Sequence, residues 1–324
     1  DRAHLNRTIK NMSVFITDYV LNPDIEKAIL GGLISQNKET AEVLLVWHQK
    51  IDTDYLSLFP NLKGIVRYGV GYDAIDLNAV KKRDIVFCNT PDYGTDEVSD
   101  TAIGMIMNIT RGVFRYDYLC RDYKDGTWQE NTIKDLRRSD QLVLGVIGAG
   151  RIGGSILRKA KAIGFNLVFF DPYRDRGYEK MLGVNRVDTL DELLKKSDVV
   201  SISTPLTSKT KGMVNIDFIS KMKHKSSLVN TSRGEILANI DDFIAPIKSG
   251  KITGLALDVL PKEPPENKGL ISAWKNRERW LDGKVIINPH TSYYSQNSYK
   301  EMRSKAALNA KRIINGELPY NIVM

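Results

Sequence analysis

The stretch LVLGVIGAGRIGGSILRKAKAIGFNLVFFD, residues 142 to 171, decides the fold. An apolar run leads into Gly148-x-Gly150-x-x-Gly153, a helical segment follows, and a second apolar run ends on Asp171. The first glycine permits a tight turn, the second lets the backbone approach a pyrophosphate, and the third brings helix and strand close together. The helix N-terminus then offers unpaired N–H groups and partial positive charge to phosphates. A carboxylate at Asp171 can take both hydroxyls of a ribose and would repel a 2′-phosphate, so the pattern favours NAD over NADP. A glycine turn serving packing alone would not need the whole strand–loop–helix–strand unit around it.

The same rhythm extends both ways. Short β-rich runs occupy 14–20, 42–47, 64–70 and 84–89, and a second series occupies 142–148, 166–171, 198–203, 227–232, 254–259 and 284–289. Runs this apolar, joined by stretches of helical character, predict buried parallel strands. Two doubly wound α/β domains follow. One long helix is expected from Asp96 to about Asp122, between the series. Another is expected over about 295–315, returning to brace the first domain.

With 324 residues, 42% hydrophobic and 27% charged, the chain has the composition of a two-domain globular protein. No apolar run reaches the ~18 residues of a membrane helix, and no signal peptide opens the chain. DRAHLNRTIKNM lacks an initiator methionine and reads as residues ahead of a natural start at Met12. Cys88 and Cys120 suit neither a disulfide framework nor a metal site, which predicts a reducing, cytoplasmic setting and no metal. The formal charge of +8 is dispersed, without a basic tail, and fits a small anionic substrate rather than nucleic acid.

In an open parallel sheet, ligands bind beyond the carboxyl ends of the strands. Just past the second series stand Gly148, Asp171, Thr204-Pro205, Ser232-Arg233, Asp258 with Glu263, and His290. That rim suits hydride chemistry. Ketone reduction needs a proton donor, and imidazole titrates near neutrality, so His290 fits. Glu263 can orient the ring and favour its charged form. Arg233 can grip a carboxylate with two prongs and polarise a carbonyl. The bland alternatives are a surface Glu263, an ion-paired Arg233 and a capping His290. Each is reasonable singly, but not jointly on one rim.

The ordered motifs GVIGAGRIGG, VNTSRGE, ALDVLPKEPP and NPHTSYYS resemble those of the D-isomer-specific 2-hydroxyacid dehydrogenases, over about residues 13 to 320. The closest branch holds phosphoglycerate dehydrogenase and the C-terminal-binding-protein corepressors. The resemblance implies a Rossmann NAD-binding domain over 111–295 and a flavodoxin-like substrate domain over 1–110 and 296–324, assembled as a homodimer. It makes Arg233, Glu263 and His290 catalytic, and puts Arg151, Ile152, Asp171, Thr204, Pro205, Thr231 and Asp258 along NAD. It also implies that the backbone of Val70 and Gly71 binds the substrate's carboxylate, with Tyr68 and Tyr93 flanking that pocket. Two other functions use the same motifs: an NAD-sensing corepressor, and oxidation of a non-carbon anion such as phosphite. The family usually carries an acid soon after its Arg-Gly pair; here the stretch is RGEILANIDD, with Ala238 near that place.

His48 follows a first-series strand and could reach a substrate or lie on a solvated loop. His224 reads as surface; Arg111 and Arg115 could line the cleft, but on a helix they are more often ion-paired. The 264–284 segment between Glu263 and His290 is longer than usual for the family. It is expected to lie at the active-site mouth, with Arg277 or Arg279 attracting a second anionic group, or else to be a surface helix without function.

Overall fold

The computed structural model describes residues 13–324 apart from 122, 125–127 and 135; the expected start at Met12 lies outside the described residues. The described residues divide into two compact units, 13–94 with 294–324, and 95–293.

The first unit holds a parallel sheet of β1 (Ser13–Ile16), β2 (Ala41–Val46), β3 (Gly64–Arg67) and β4 (Val86–Cys88), in the order β1-β2-β3-β4. Ile34 adds a parallel bridge to Val14 on the free edge of β1. Counting that bridge as a strand gives the order 2-1-3-4-5, the flavodoxin-like doubly wound arrangement. Phe15, Leu44, Ile65, Phe59 and Phe87 are among the side chains of its core. The C-terminal helix Gln296–Ile314 belongs to this unit and buries Met302, Ala306, Ala307 and Ala310. It comes so close to β3 that a Cβ on Gly64 would stand 2.7 Å from Ile313 Cδ1.

One buried ionic network ties this helix to the chain's start. Arg303, 5% exposed, donates through Nε to Glu26 Oε1 at 2.9 Å and through Nη2 to Asp24 Oδ1 at 2.9 Å. Tyr68 donates its hydroxyl to the same Glu26 Oε1 at 2.9 Å.

The second unit is a seven-stranded parallel sheet in the order β11-β10-β9-β8-β5-β6-β7. Its strands are β5 (Val143–Ile147), β6 (Asn166–Phe170), β7 (Asn185–Arg186), β8 (Val199–Ile202), β9 (Ser226–Asn230), β10 (Ile252–Leu257) and β11 (Val285–Ile287). The six from β7 to β10 carry the Rossmann order 3-2-1-4-5-6, and β11 extends the sheet by one. The strand order reverses between β5 and β8, which places a ligand crevice at their carboxyl ends.

The long helical run is two helices, Thr95–Thr110 and Val113–Cys120, because Gly112 takes a left-handed φ of 65°. The first of these packs Ala102, Met105 and Ile106 into one core with Leu144, Val146 and Ile156. The boundary between the units therefore falls at Gly94/Thr95, not after residue 110 as the sequence suggested. The second crossing comes at Tyr293/Tyr294, two residues before the expected break.

Candidate active site

At the β5 end, Gly148 has φ 87°, and a Cβ there would stand 2.7 Å from Ser203 O. A Cβ on Gly153 would overlap Gly148 O at 1.9 Å, so only glycine allows the helix Arg151–Ile163 to sit this near the strand. Gly150, the N-cap of that helix, is different. The nearest atom to a Cβ there is Arg174 Nη2 at 3.5 Å, leaving open space above the loop. Asp171, 8% exposed, ends β6 and accepts from Ala149 N at 2.8 Å and Tyr173 N at 2.9 Å. The carboxylate is thus locked to the glycine loop. Thr204 Oγ1 and Thr231 Oγ1, at the ends of β8 and β9, are buried without a hydrogen-bond partner among the described residues. An open glycine N-cap, a fixed carboxylate and two orphaned hydroxyls on one rim fit a dinucleotide.

At the β9 end, Asn230 shapes the turn that carries Arg233. Its Oδ1 accepts from Ser232 N at 3.0 Å and Ser232 Oγ at 2.7 Å, and its Nδ2 donates to Arg233 O at 2.9 Å. A Cβ on Gly234 would lie 1.9 Å from Leu260 C, so the RG pair brings this turn directly against the loop leading to Glu263. Sequence reading passed over Asn230, although an asparagine closing a strand before Ser-Arg-Gly is typical Asx-turn chemistry.

At the β10 and β11 ends, Asp258 is 1% exposed and orders the histidine turn. Its carboxylate accepts from Thr291 N and Ser292 N, each at 3.0 Å, and its main-chain oxygen accepts from His290 N at 2.8 Å. His290 consequently adopts φ 55°, a left-handed conformation costing about 1 kcal/mol or more unless its surroundings enforce it. Its Nδ1 lies 2.8 Å from Glu263 Oε2, while Glu263 Oε1 accepts from Leu260 N at 2.8 Å. Burial works to raise the Glu263 pKa. The hydrogen bonds from His290 and the Leu260 N–H outweigh it, with the charges of His290 and Arg233 adding to them, and hold the carboxyl below the usual range. With Nδ1 on the carboxylate, Nε2 is the ring nitrogen left for chemistry.

Residues 103–292 match the family described as D-isomer specific 2-hydroxyacid dehydrogenase, NAD binding domain. The chain belongs to this family. D-3-phosphoglycerate dehydrogenase of Methanocaldococcus jannaschii is 32% identical over 284 residues, 87% of this chain and 52% of that one. Glyoxylate reductase of Korarchaeum cryptofilum is 32% identical over 295 residues, covering 90% and 85%. C-terminal-binding protein 1 of Caenorhabditis elegans is 30% identical over 292 residues, covering 87% and 38%. The chain thus spans about half the length of the first relative and less of the third. A crystal structure of D-lactate dehydrogenase from Aquifex aeolicus, complexed with NAD and lactic acid, is 28% identical with a TM-score of 0.79, covering 96% of this chain and 99% of that one. The resemblance carried by the four motifs, including its branch, therefore holds. Membership makes NAD the cofactor.

Two expectations need correction. Tyr68 does not flank a pocket: it is fully buried, with its hydroxyl on Glu26. Burial and the Glu26 charge both push that hydroxyl's pKa upward. Arg277 and Arg279 are exposed but stand before β11, at its amino end, whereas His290 follows its carboxyl end. That part of the segment is clamped to the helix Val113–Cys120: Arg115 Nε donates to Asp282 O at 3.0 Å and its Nη2 pairs with the Asp282 carboxylate. Tyr118 adds a bond to Arg277 O at 2.9 Å. Leu270, Ile271 and Leu281 pack into the core. In the first unit, Tyr93 is 8% exposed and Val70 39%. His48 is exposed with its ring 4.7 Å from that of Tyr19, and His224 is exposed, as read from the sequence.

Proposed function

We propose that the protein interconverts 2-keto and D-2-hydroxy acids, with His290 as the proton-transfer group. The observation that carries this reading is the Glu263 Oε2–His290 Nδ1 contact of 2.8 Å on the rim of an NAD-binding sheet. NAD, when bound, supplies or receives the hydride at its nicotinamide. Gly148, Gly150, Gly153, Arg151 and Ile152 would receive its pyrophosphate, Asp171 its ribose, and Thr204, Pro205, Thr231 and Asp258 the remainder. Glu263 fixes the ring so that Nε2 gives a proton to the carbonyl oxygen during reduction and takes it back during oxidation. Arg233 holds the carboxylate and stabilises charge growing on that oxygen. In the first unit, the N–H groups of Val70 and Gly71, which carry no hydrogen bond among the described residues, are suited to a carboxylate. A homodimer in the cytoplasm is part of the same proposal; no described helix is long and apolar enough to cross a membrane.

NADH oxidation against a panel of 2-keto acids, including glyoxylate, hydroxypyruvate, pyruvate and phosphonate analogues, tests the reading. Turnover of at least one 2-keto acid is expected, and inertness towards all of them would refute it. The pH profile adds a signed test. Because the Glu263 pKa is depressed, its carboxylate is ionised at neutral pH, and activity depending on it disappears only as pH falls through that lowered value. Glu263→Gln should erase this acid limb and lower kcat about tenfold or more.

A further inference from the structure

We propose that the side chain of the keto acid is aromatic and lies on a platform of Tyr19, Trp47 and His48, beyond the carboxyl ends of β1 and β2. The inference rests on the reading that the first unit receives the substrate, with its carboxylate at Val70 and Gly71, and it names the class of side chain that follows.

β1, β2 and β3 lie side by side and parallel, so the turns after them share one edge of the sheet, the edge at which such folds bind ligands. Val70 and Gly71 stand past β3, Trp47 and His48 past β2, and Tyr19 past β1. Two strand spacings separate Tyr19 from the carboxylate turn, roughly 10 Å.

Trp47 is the floor of the platform. It is 6% exposed, and its ring packs 5.4 Å from that of Tyr68 and 5.6 Å from that of Tyr299. The rings of His48 and Tyr19 each stand 6.2 Å from it, that of His48 nearly parallel at 27°. Both are exposed, Tyr19 by 70%, and they approach each other at 4.7 Å. One carboxylate ties the two loops together: Asp18 accepts from Trp47 N at 3.0 Å and from His48 N at 2.6 Å.

Tyr19 takes φ 64° in a three-residue turn closed by Val20 N donating to Asp18 O at 2.8 Å, a rare and strained conformation. Strain of this kind persists only where the surroundings enforce it, and it clusters at ligand sites. A lone exposed tyrosine would be ordinary surface. A tyrosine and a histidine displayed over a fixed tryptophan, at the ligand edge of a parallel sheet, instead offer faces and edges for another ring to pack on, offset or edge to face. An aliphatic side chain would gain burial there but not the ring-to-ring attraction.

Steady-state reduction by the full chain with NADH, comparing phenylpyruvate with pyruvate and with 2-ketoisocaproate, tests this directly. kcat/KM for phenylpyruvate should exceed that for pyruvate by about tenfold or more, and that for 2-ketoisocaproate by about threefold or more, the scale of an aromatic pair added to apolar burial. Tyr19→Asn removes the ring yet suits a left-handed backbone, and should cut the phenylpyruvate-to-pyruvate ratio about tenfold, mainly through KM. Tyr19→Phe should keep the ratio. An unchanged circular-dichroism spectrum would confirm that the variants fold. Phenylpyruvate turned over no better than 2-ketoisocaproate, or a ratio unchanged in folded Tyr19→Asn, overturns the proposal while the dehydrogenase reading stands. Inertness towards every keto acid overturns both.

Discussion

Asp258→Asn separates two roles that one carboxylate could have. In the structure its oxygens accept from the Thr291 and Ser292 N–H groups at 3.0 Å each, at a site only 1% exposed. An amide keeps one acceptor and turns a donor towards the other N–H. One charge-assisted bond is lost and one buried N–H is stranded, together about 3 kcal/mol. With a urea m-value of about 3 kcal/mol per molar for a chain this long, the midpoint should drop by about 1 M. The loosened turn also carries His290, and a displacement of about 1 Å would cost turnover roughly a hundredfold. Unfolding can be followed by tryptophan fluorescence, to which Trp274 and Trp280 of this unit contribute, with kcat and NADH affinity measured on the same preparation. A midpoint unchanged within about 0.2 M, with the loss confined to NADH affinity, would refute the anchoring role and leave Asp258 as a cofactor contact only.

Gly153→Ala should disrupt the glycine loop and abolish NADH binding, since its Cβ overlaps Gly148 O, whereas Gly150→Ala should fold normally and only weaken NADH; calorimetry and melting curves distinguish the two. Tyr68→Phe strands Glu26 Oε1 with one donor fewer and should cost about 1 kcal/mol in urea unfolding without altering kcat, and a kcat loss would restore the pocket role withdrawn above. The Asp198 carboxyl is pushed up by burial but held lower overall by Arg137, Lys223 and the Val143 N–H. Its folded pKa being depressed, it stabilises the fold above its unfolded value and loses that contribution as pH falls through the folded one, so Asp198→Asn should flatten the acid limb of Tm against pH.

The ten strand runs each match a strand, and the glycine loop, Asp171, Arg233, Glu263 and His290 stand at strand ends as read. They were legible because each depends on local chemistry: a turn only glycine can make, or a polar residue closing an apolar run. What was not legible depended on long-range packing. The two-residue β7 is too short to carry a pattern. The helix Thr95–Thr110 has an apolar face that either unit could have buried, and periodicity does not say which. Tyr68 follows a strand buried on both faces, where alternation is erased and nothing local tells which way a side chain points. Its partners settle the matter, and Glu26 and Arg303 are separated by most of the chain. Arg277 and Arg279 were read from their sequence distance to His290, although a parallel strand carries its two ends to opposite edges of the sheet.

The most direct test of the account is kcat for His290→Ala with the best 2-keto acid of the panel, measured together with NADH affinity. General acid catalysis by this ring predicts a fall in kcat of about a hundredfold or more with the NADH dissociation constant within about twofold of wild type. An unchanged kcat, or a loss that lies entirely in NADH binding, would contradict it.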